Sequence, residues 1–204
     1  ALLFEKLDID ILKVLDAADK KYNFQIHYPG PGVGGPCLPV NSYQLLNSAR
    51  KFDSGLLKIV QAGRQINEGM PLHVIDLLSD ALKEANKMIK NSTILLLGVS
   101  YKANVKDIQL SPAEQIVTKL QELGAKVRIY DPYFKSTKVY GIDTESDLVT
   151  PEIDDLLLRA QKTYQSVDDV IKGLEMPLRV GIMEILFKGT MIKKNQYQLD
   201  EVEA

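Results

Sequence analysis

The sequence holds one cysteine and no tryptophan in 204 residues. A lone cysteine excludes any internal disulfide, so packing and hydrogen bonds must hold the fold. There are only two histidines, His27 and His73. They stand far apart, and neither has a cysteine or carboxylate at ligand spacing, which argues against a metal centre. No apolar run approaches the ~20 residues that a bilayer-crossing helix needs, and no signal-peptide pattern is visible, so no membrane role is expected. Nor is charge of one sign in excess. The 25 basic and 27 acidic residues leave a net charge of -2, which offers nucleic acid or an anionic membrane no electrostatic footprint. A cytoplasmic location is the resulting expectation.

What remains is ordinary for a globular protein: 45% hydrophobic and 25% charged residues, in a length suited to one or two domains. The first residues, Ala1 to Leu7, read as the middle of an amphipathic helix without an initiating methionine. The chain is therefore expected to be a piece of something longer.

Apolar spacing predicts two short helices over residues 1–22, with Leu12, Leu15 and Ala18 on one face. A short extended piece from Phe24 to Tyr28 follows. Between Pro29 and Pro39 lie four prolines and four glycines, which exclude a regular helix or a central strand and require a loop. Helix is expected again from near Asn41 to about Ile89, with interruptions, and Pro71 is expected as a first-turn residue or a kink. Its last part carries the stripe Val74, Leu77, Leu78, Ala81 and Leu82, which is either core or a helix–helix contact.

Asn86 to Thr93 reads as a linker. Beyond it, Ile94 to Leu97 is a short apolar strand. Ser111-Pro112-Ala113-Glu114 supplies an N-cap, a first-turn proline and a capping-box glutamate. The helix turns Ile116, Val117 and Leu120 inward and stops at Gly124, and Val127 to Tyr130 forms a second strand closed by Asp131-Pro132. This is a right-handed βαβ unit. Further helix starts are expected at Thr150-Pro151-Glu152 and Ser166-Val167-Asp168, and a strand at Arg179 to Leu186. The expected fold is α/β: a helical segment over residues 1–90, then a doubly wound Rossmann-like domain over residues 91–204, possibly incomplete.

Gly30, Gly32 and Gly35 match G-x-G-x-x-G, but the fingerprint needs a strand before it and a helix opening at its third glycine. Pro36, Cys37, Leu38 and Pro39 follow instead, so no cofactor-binding residue is assigned there. The loop makes better sense around Cys37. Glycines let a substrate approach the backbone, prolines stiffen the turn, and N–H donors at the start of the next helix can face a thiolate. A small buried hydrophobe is the competing role for a lone cysteine. Asp131 ends its strand either as a ribose-binding acid or as a plain cap.

The run Pro29-Gly-Pro-Gly-Val-Gly-Gly-Pro-Cys-Leu-Pro39 resembles the catalytic-cysteine loop of the UDP-glucose and UDP-N-acetylmannosamine 6-dehydrogenases. Leu97-Gly98-Val99-Ser100-Tyr101-Lys102-Ala103-Asn104, with Asp107, Ser111 and Pro112, resembles that family's entry to its UDP-binding domain. Arg64-Gln65-Ile66-Asn67 with Met70-Pro71 resembles its central helix, and Tyr130-Asp131-Pro132 its next strand end. The resemblance spans roughly residues 1 to 140, and Val33 in the loop is closer to the acetylmannosamine branch.

It implies NAD-dependent oxidation of a UDP-sugar C6 alcohol to the uronic acid, for polysaccharide biosynthesis. Cys37 would form a thiohemiacetal and then a thioester, with Asn41 at the position that assists hydrolysis. Lys102 and Tyr101 would bind substrate, with Tyr28, Val33 and Gly34 lining the sugar and phosphates. It also implies a homodimer, and an NAD bound mainly by a domain absent from this chain, without which the chain is inactive. The family carries aspartate where Asn41 stands, arginine where Gln109 stands, and histidine or serine where Pro36 stands. Asparagine cannot accept a proton, so a non-catalytic dimeric UDP-sugar-binding module is the alternative. A cysteine hydrolase is a third, with no histidine near Cys37 in sequence to support it.

Overall fold

A computed structural model describes residues 1–53, 55–84, 86–102, 104–146 and 156–159, the last as backbone only. The helix starts expected at Thr150 and Ser166 and the strand at Arg179 to Leu186 lie outside the described residues.

The N-terminal part is helical. Helix α1 spans Leu2–Lys6 and α2 spans Ile11–Ala18, the latter opened by Asp10, whose carboxylate accepts from the Leu12 N–H at 2.9 Å. Residues 24–36 form neither helix nor strand, consistent with the three prolines and four glycines between positions 29 and 36. Helix α3 covers Leu38–Ala49 and α4 covers Lys58–Glu84. The first of these begins three residues before the expected Asn41, because Pro39 in the first turn lacks an N–H that would be unpaired there anyway. Pro71 sits well inside α4 rather than in a first turn.

The same chain reversal ends both α4 and the next helix, α5 (Pro112–Glu122). Asn86 (φ 58°) donates to the Lys83 carbonyl while Lys87 donates to Leu82. Gly124 (φ 82°) donates to Gln121 while Ala125 donates to Leu120. This is the Schellman closure with asparagine or glycine in the left-handed position. It stops α4 at Glu84 and not near Ile89.

Strand β1 (Thr93–Leu97) pairs in parallel with β2 (Lys126–Tyr130), from Thr93 opposite Lys126 to Leu97 opposite Tyr130. A short antiparallel pair follows, β3 (Lys138–Val139) with β4 (Ile142–Asp143). Strand β5 (Leu156–Arg159) pairs in parallel on the other side of β1, giving the order β2-β1-β5. Helix α5 links β1 to β2 as the sequence predicts. Ser111 caps it by accepting from the Ala113 N–H at 3.3 Å. The reciprocal bond of a capping box is forestalled, since the Ser111 N–H is already spent on the Ile108 carbonyl.

The core lies between sheet and helices. Ile94, Leu95, Leu96 and Leu97 are at most 1% exposed, and Ala113, Ile116, Val117 and Leu120 of α5 are fully covered. Val74, Leu78 and Leu82 of α4 join the same cluster, so the helical stripe is core. Each such side chain contributes roughly 1.5–3 kcal/mol by leaving water. Among the described residues no helix is long and apolar enough to cross a membrane.

Candidate functional site

Cys37 is the N-cap of α3, and its side chain is exposed and makes no capping bond. The buried-hydrophobe role is thereby set aside. Helix begins three residues after Gly35, closer to the glycines than the expected start near Asn41. No strand precedes it among the described residues. The free N–H groups of the first turn face the Cys37 end of the helix, where a negative charge on an attacking sulfur or on a bound oxygen is favoured. Asn41 lies one turn further along, its N–H donating to the Cys37 carbonyl at 2.9 Å. The i, i+4 spacing puts its exposed side chain on the same face as the cysteine.

The loop before Cys37 is held on two sides. On one, the Gly35 N–H donates to the Gln109 carbonyl at 2.9 Å. A Cβ on Gly34 would sit 2.3 Å from the Leu110 carbonyl oxygen, and one on Gly35 would sit 2.6 Å from the Tyr101 ring. Glycine is required at position 34 because two backbones meet there without room for a side chain, and at position 35 because the Tyr101 ring fills the space and φ is 89°. Leu110 itself adopts φ 49°, a left-handed conformation that costs a residue with a Cβ and persists only where its surroundings enforce it. On the other side, Asn67 of α4 pairs with both backbone groups of Val33. It accepts from the Val33 N–H at 2.7 Å and donates to the Val33 carbonyl at 3.2 Å.

Tyr101 and Lys102 lie in the segment after β1. Strand β1 is central, with its α5 crossover leading to β2 on one side and β5 lying on the other. The crevice beyond its carboxyl end is where ligands of such sheets bind. Ser100, only 1% exposed, carries there a hydroxyl with no hydrogen-bond partner among the described residues. Lys102 is exposed and forms no ion pair among the described residues. The Tyr101 N–H donates to the Asp107 carbonyl at 2.9 Å and closes this segment into a compact loop.

Asp131 is fully buried. Its Oδ2 accepts from the N–H groups of Val99 at 2.9 Å and Ser100 at 3.4 Å, and its Oδ1 from that of Tyr133 at 2.8 Å. Oδ2 thus ties the end of β2 to the segment after β1, while Oδ1 closes the turn after β2, as a cap does.

A groove of about 720 Å³ runs between α3, α4 and α5, with Val33, Tyr43, Arg64, Asn67 and Glu68 in its walls. Cys37 and Lys102 are outside it. Tyr43 donates its hydroxyl to Glu68, Arg64 meets the same Glu68 oxygen at 3.0 Å, and the guanidinium stands 5.4 Å from the centre of the Tyr43 ring. The Tyr43 bond holds the Glu68 carboxyl below its usual range, with Arg64 helping, and the same bond raises the Tyr43 phenol.

Of the expected site residues, α3 brings Cys37 and Asn41 together, and the loop brings Val33 and Gly34 to them and packs against Tyr101. Tyr28 precedes the loop, half exposed, and Lys102 follows Tyr101; nothing described places either beside the sulfur. Tyr43, Arg64, Asn67 and Glu68 were given no site role from sequence. The signal was present: Arg64, Asn67 and Glu68 fall at i, i+3 and i+4, one face of a helix.

A cysteine loop delivered by a helical segment onto a parallel α/β unit, packed against the segment that follows its central strand, defines a two-part protein of the nucleotide-binding α/β class. The chain belongs to the UDP-glucose/GDP-mannose dehydrogenase family: residues 1–69 match its central domain and residues 95–176 its UDP binding domain. It is 38% identical over 137 residues to a UDP-N-acetyl-D-mannosamine dehydrogenase of Pyrococcus horikoshii, covering 67% of this chain and 32% of that protein. It is 32% identical over 178 residues to a UDP-N-acetyl-D-glucosamine 6-dehydrogenase of Salmonella typhi, covering 85% and 41%. The solved UDP-D-ManNAc dehydrogenase from Pyrococcus horikoshii superposes with a TM-score of 0.71 at 27% identity, over 89% of this chain and 40% of that one. The chain thus spans about a third to two fifths of the length of these relatives.

Proposed function

We propose that this chain is the substrate-binding and cysteine-bearing part of an NAD-dependent UDP-sugar 6-dehydrogenase. UDP-N-acetylmannosamine or UDP-glucose is its substrate class, and the product is the uronic acid. In this reading residues 1–90 form a central helical dimerisation segment with the cysteine loop, residues 91–204 bind UDP, and the protein is a homodimer. The observation that carries it is Cys37, exposed at the start of α3, on a loop packed against Tyr101 at the entry to the UDP-binding half.

The Cys37 sulfur adds to the C6 aldehyde and forms a C–S bond, and the carbonyl oxygen takes up a proton to complete a thiohemiacetal. This holds the aldehyde in place between the two oxidations. The oxidised adduct is a thioester, which water cleaves to the carboxylate and the free thiol. Asn41 orients that water by hydrogen bonds but cannot take its proton. Lys102 and Tyr101 bind the nucleotide sugar at the mouth of the sheet, while Tyr28, Val33 and Gly34 line the sugar and phosphates. NAD, when bound, accepts the hydride at each oxidation. The described residues offer no strand–glycine–helix cradle for its pyrophosphate, so that role is assigned to none of them, and this chain alone is expected not to turn over.

The test is to treat the chain with a UDP-sugar 6-aldehyde and follow alkylation of its one cysteine by iodoacetamide. The aldehyde should protect Cys37 well beyond the protection given by UDP, with UDP binding itself visible by calorimetry. Failure of UDP to bind would overturn the reading. UDP binding without aldehyde protection would favour the second reading, a non-catalytic dimeric UDP-sugar-binding module, which the asparagine at position 41 supports.

A further inference from the structure

The loop between Val33 and Cys37 has a foot in each half of the chain. Gly35 is bonded to Gln109 of the second half, and the Asn67 side chain ties the loop to α4 through a donor–acceptor pair. A primary amide that engages both backbone groups of one residue, its N–H and its C=O, holds the two peptide units flanking that residue at once, which a single bond cannot do. Val33 is exposed while Asn67 is partly covered, so the pair does not serve the core. It acts on the loop alone, and the loop ends four residues later at the sulfur. Arg64 and Glu68, on the same face of α4, fasten Tyr43 of α3. One helix face thus grips both the loop before Cys37 and the helix after it.

We propose that Asn67 is a positioning residue: its amide sets the loop so that Cys37 meets a nucleotide sugar bound at the end of β1. The inference deepens the function proposed above and rests on it where a nucleotide sugar is concerned. The clamp itself does not.

The full chain is compared as wild type, Asn67→Ala and Asn67→Gln. Amide exchange is followed by NMR, and Cys37 alkylation by iodoacetamide is measured with and without UDP-N-acetylglucosamine. In Asn67→Ala the amides of Val33 and Gly35 should exchange at least about tenfold faster, although Gly35 is bonded elsewhere. The nucleotide sugar should bind within about threefold of wild type, yet protect Cys37 no longer. Asn67→Gln, with the same amide on one more methylene, should recover at least half of that protection, which a merely structural role would not predict.

Unchanged exchange at both amides, or full protection of Cys37 in Asn67→Ala, overturns the proposal. Should Asn67→Ala fail to fold, Asn67→Asp carries the same comparison, since it keeps the acceptor for Val33 and loses the donor. If wild-type Cys37 is not protected at all, the function proposed above has failed, and the exchange rates alone decide the role of Asn67.

Discussion

Upstream of Met70, helix α4 leaves Ile59 at 89% and Ile66 at 59% exposure, whereas downstream Val74 and Leu78 are at 1% and 0%. Both stretches belong to one helix, the upstream one poorer in apolar residues. The neighbours differ as well. The downstream turns lie against α5 and the sheet and share their core, while among the described residues the upstream turns are tied to α3 and the cysteine loop. Periodicity in a sequence says where an apolar stripe runs; the layers brought alongside decide whether it is covered.

The largest expected effect cuts across that divide. Leu78→Ala should destabilise the chain by about 2–5 kcal/mol in urea unfolding, the cost of a cavity in a packed core. Ile66→Ala should change stability by no more than about 0.5 kcal/mol at low protein concentration. Equal costs for the two would break the comparison. A cost for Ile66→Ala that grows with protein concentration would sharpen it, by showing that a second copy covers the upstream face.

The second effect belongs to the densely packed side. Tyr140 has a buried hydroxyl with no well-aligned hydrogen bond among the described residues, and burial pushes its phenol up to about 12. The neighbouring Ser111 offsets this only in part, while Glu114 and Asp131 add to it. The neutral form is the one that fits the fold. Because the folded value lies above the unfolded one, the stability is intact below pH 10 and lost as pH rises from about 10 to 12. The ring is only partly buried, so solvent screening discounts the shift and the loss is on the order of 1 kcal/mol. Tyr140→Phe should remove this alkaline limb and cost little at pH 7, as at most a weak contact with Ser111 is given up. An unchanged alkaline limb in Tyr140→Phe would place the titrating group elsewhere.

The contrast between the two regions also marks what the sequence made legible. The βαβ unit was readable because its signals are local: Gly124 and Ser111-Pro112 punctuate a helix, and four consecutive apolar residues make a buried strand. The loop was readable from its prolines and glycines, and its chemistry from the family resemblance. Less legible were features set by contacts across the chain. The start of α3 was misplaced because prolines and glycines were read as breaking helix through Pro39, although a first-turn proline is tolerated. The early end of α4 rests on Asn86 accepting a left-handed backbone, which asparagine does in some contexts and not in others. Asp131 could be read two ways until the Val99, Ser100 and Tyr133 N–H groups were found on it. Asn67 and Glu68 were visible as letters on a helix, but their targets, Val33 and Tyr43, lie 34 and 25 residues away.

The smallest effect is expected on the sparsely packed side, at Glu68. Its carboxyl is held below the ordinary 4.5 by the Tyr43 hydroxyl first and Arg64 next. The ionised form is therefore the one bound in the folded chain. Its contribution is present above about pH 4.5 and is lost as pH falls through the lower folded value. The side chain is 47% exposed, and solvent screening limits such contacts to roughly 0.2–1 kcal/mol. Glu68→Gln should accordingly be less stable than wild type by that small margin at pH 6–8, with the two curves converging towards pH 3. In a double-mutant cycle, Tyr43→Phe should add little to Glu68→Gln, because one bond joins the two residues. A gap that persists undiminished at pH 3 would mean that α3 is fastened to α4 by packing alone, and the electrostatic difference between the two ends of α4 would disappear with it.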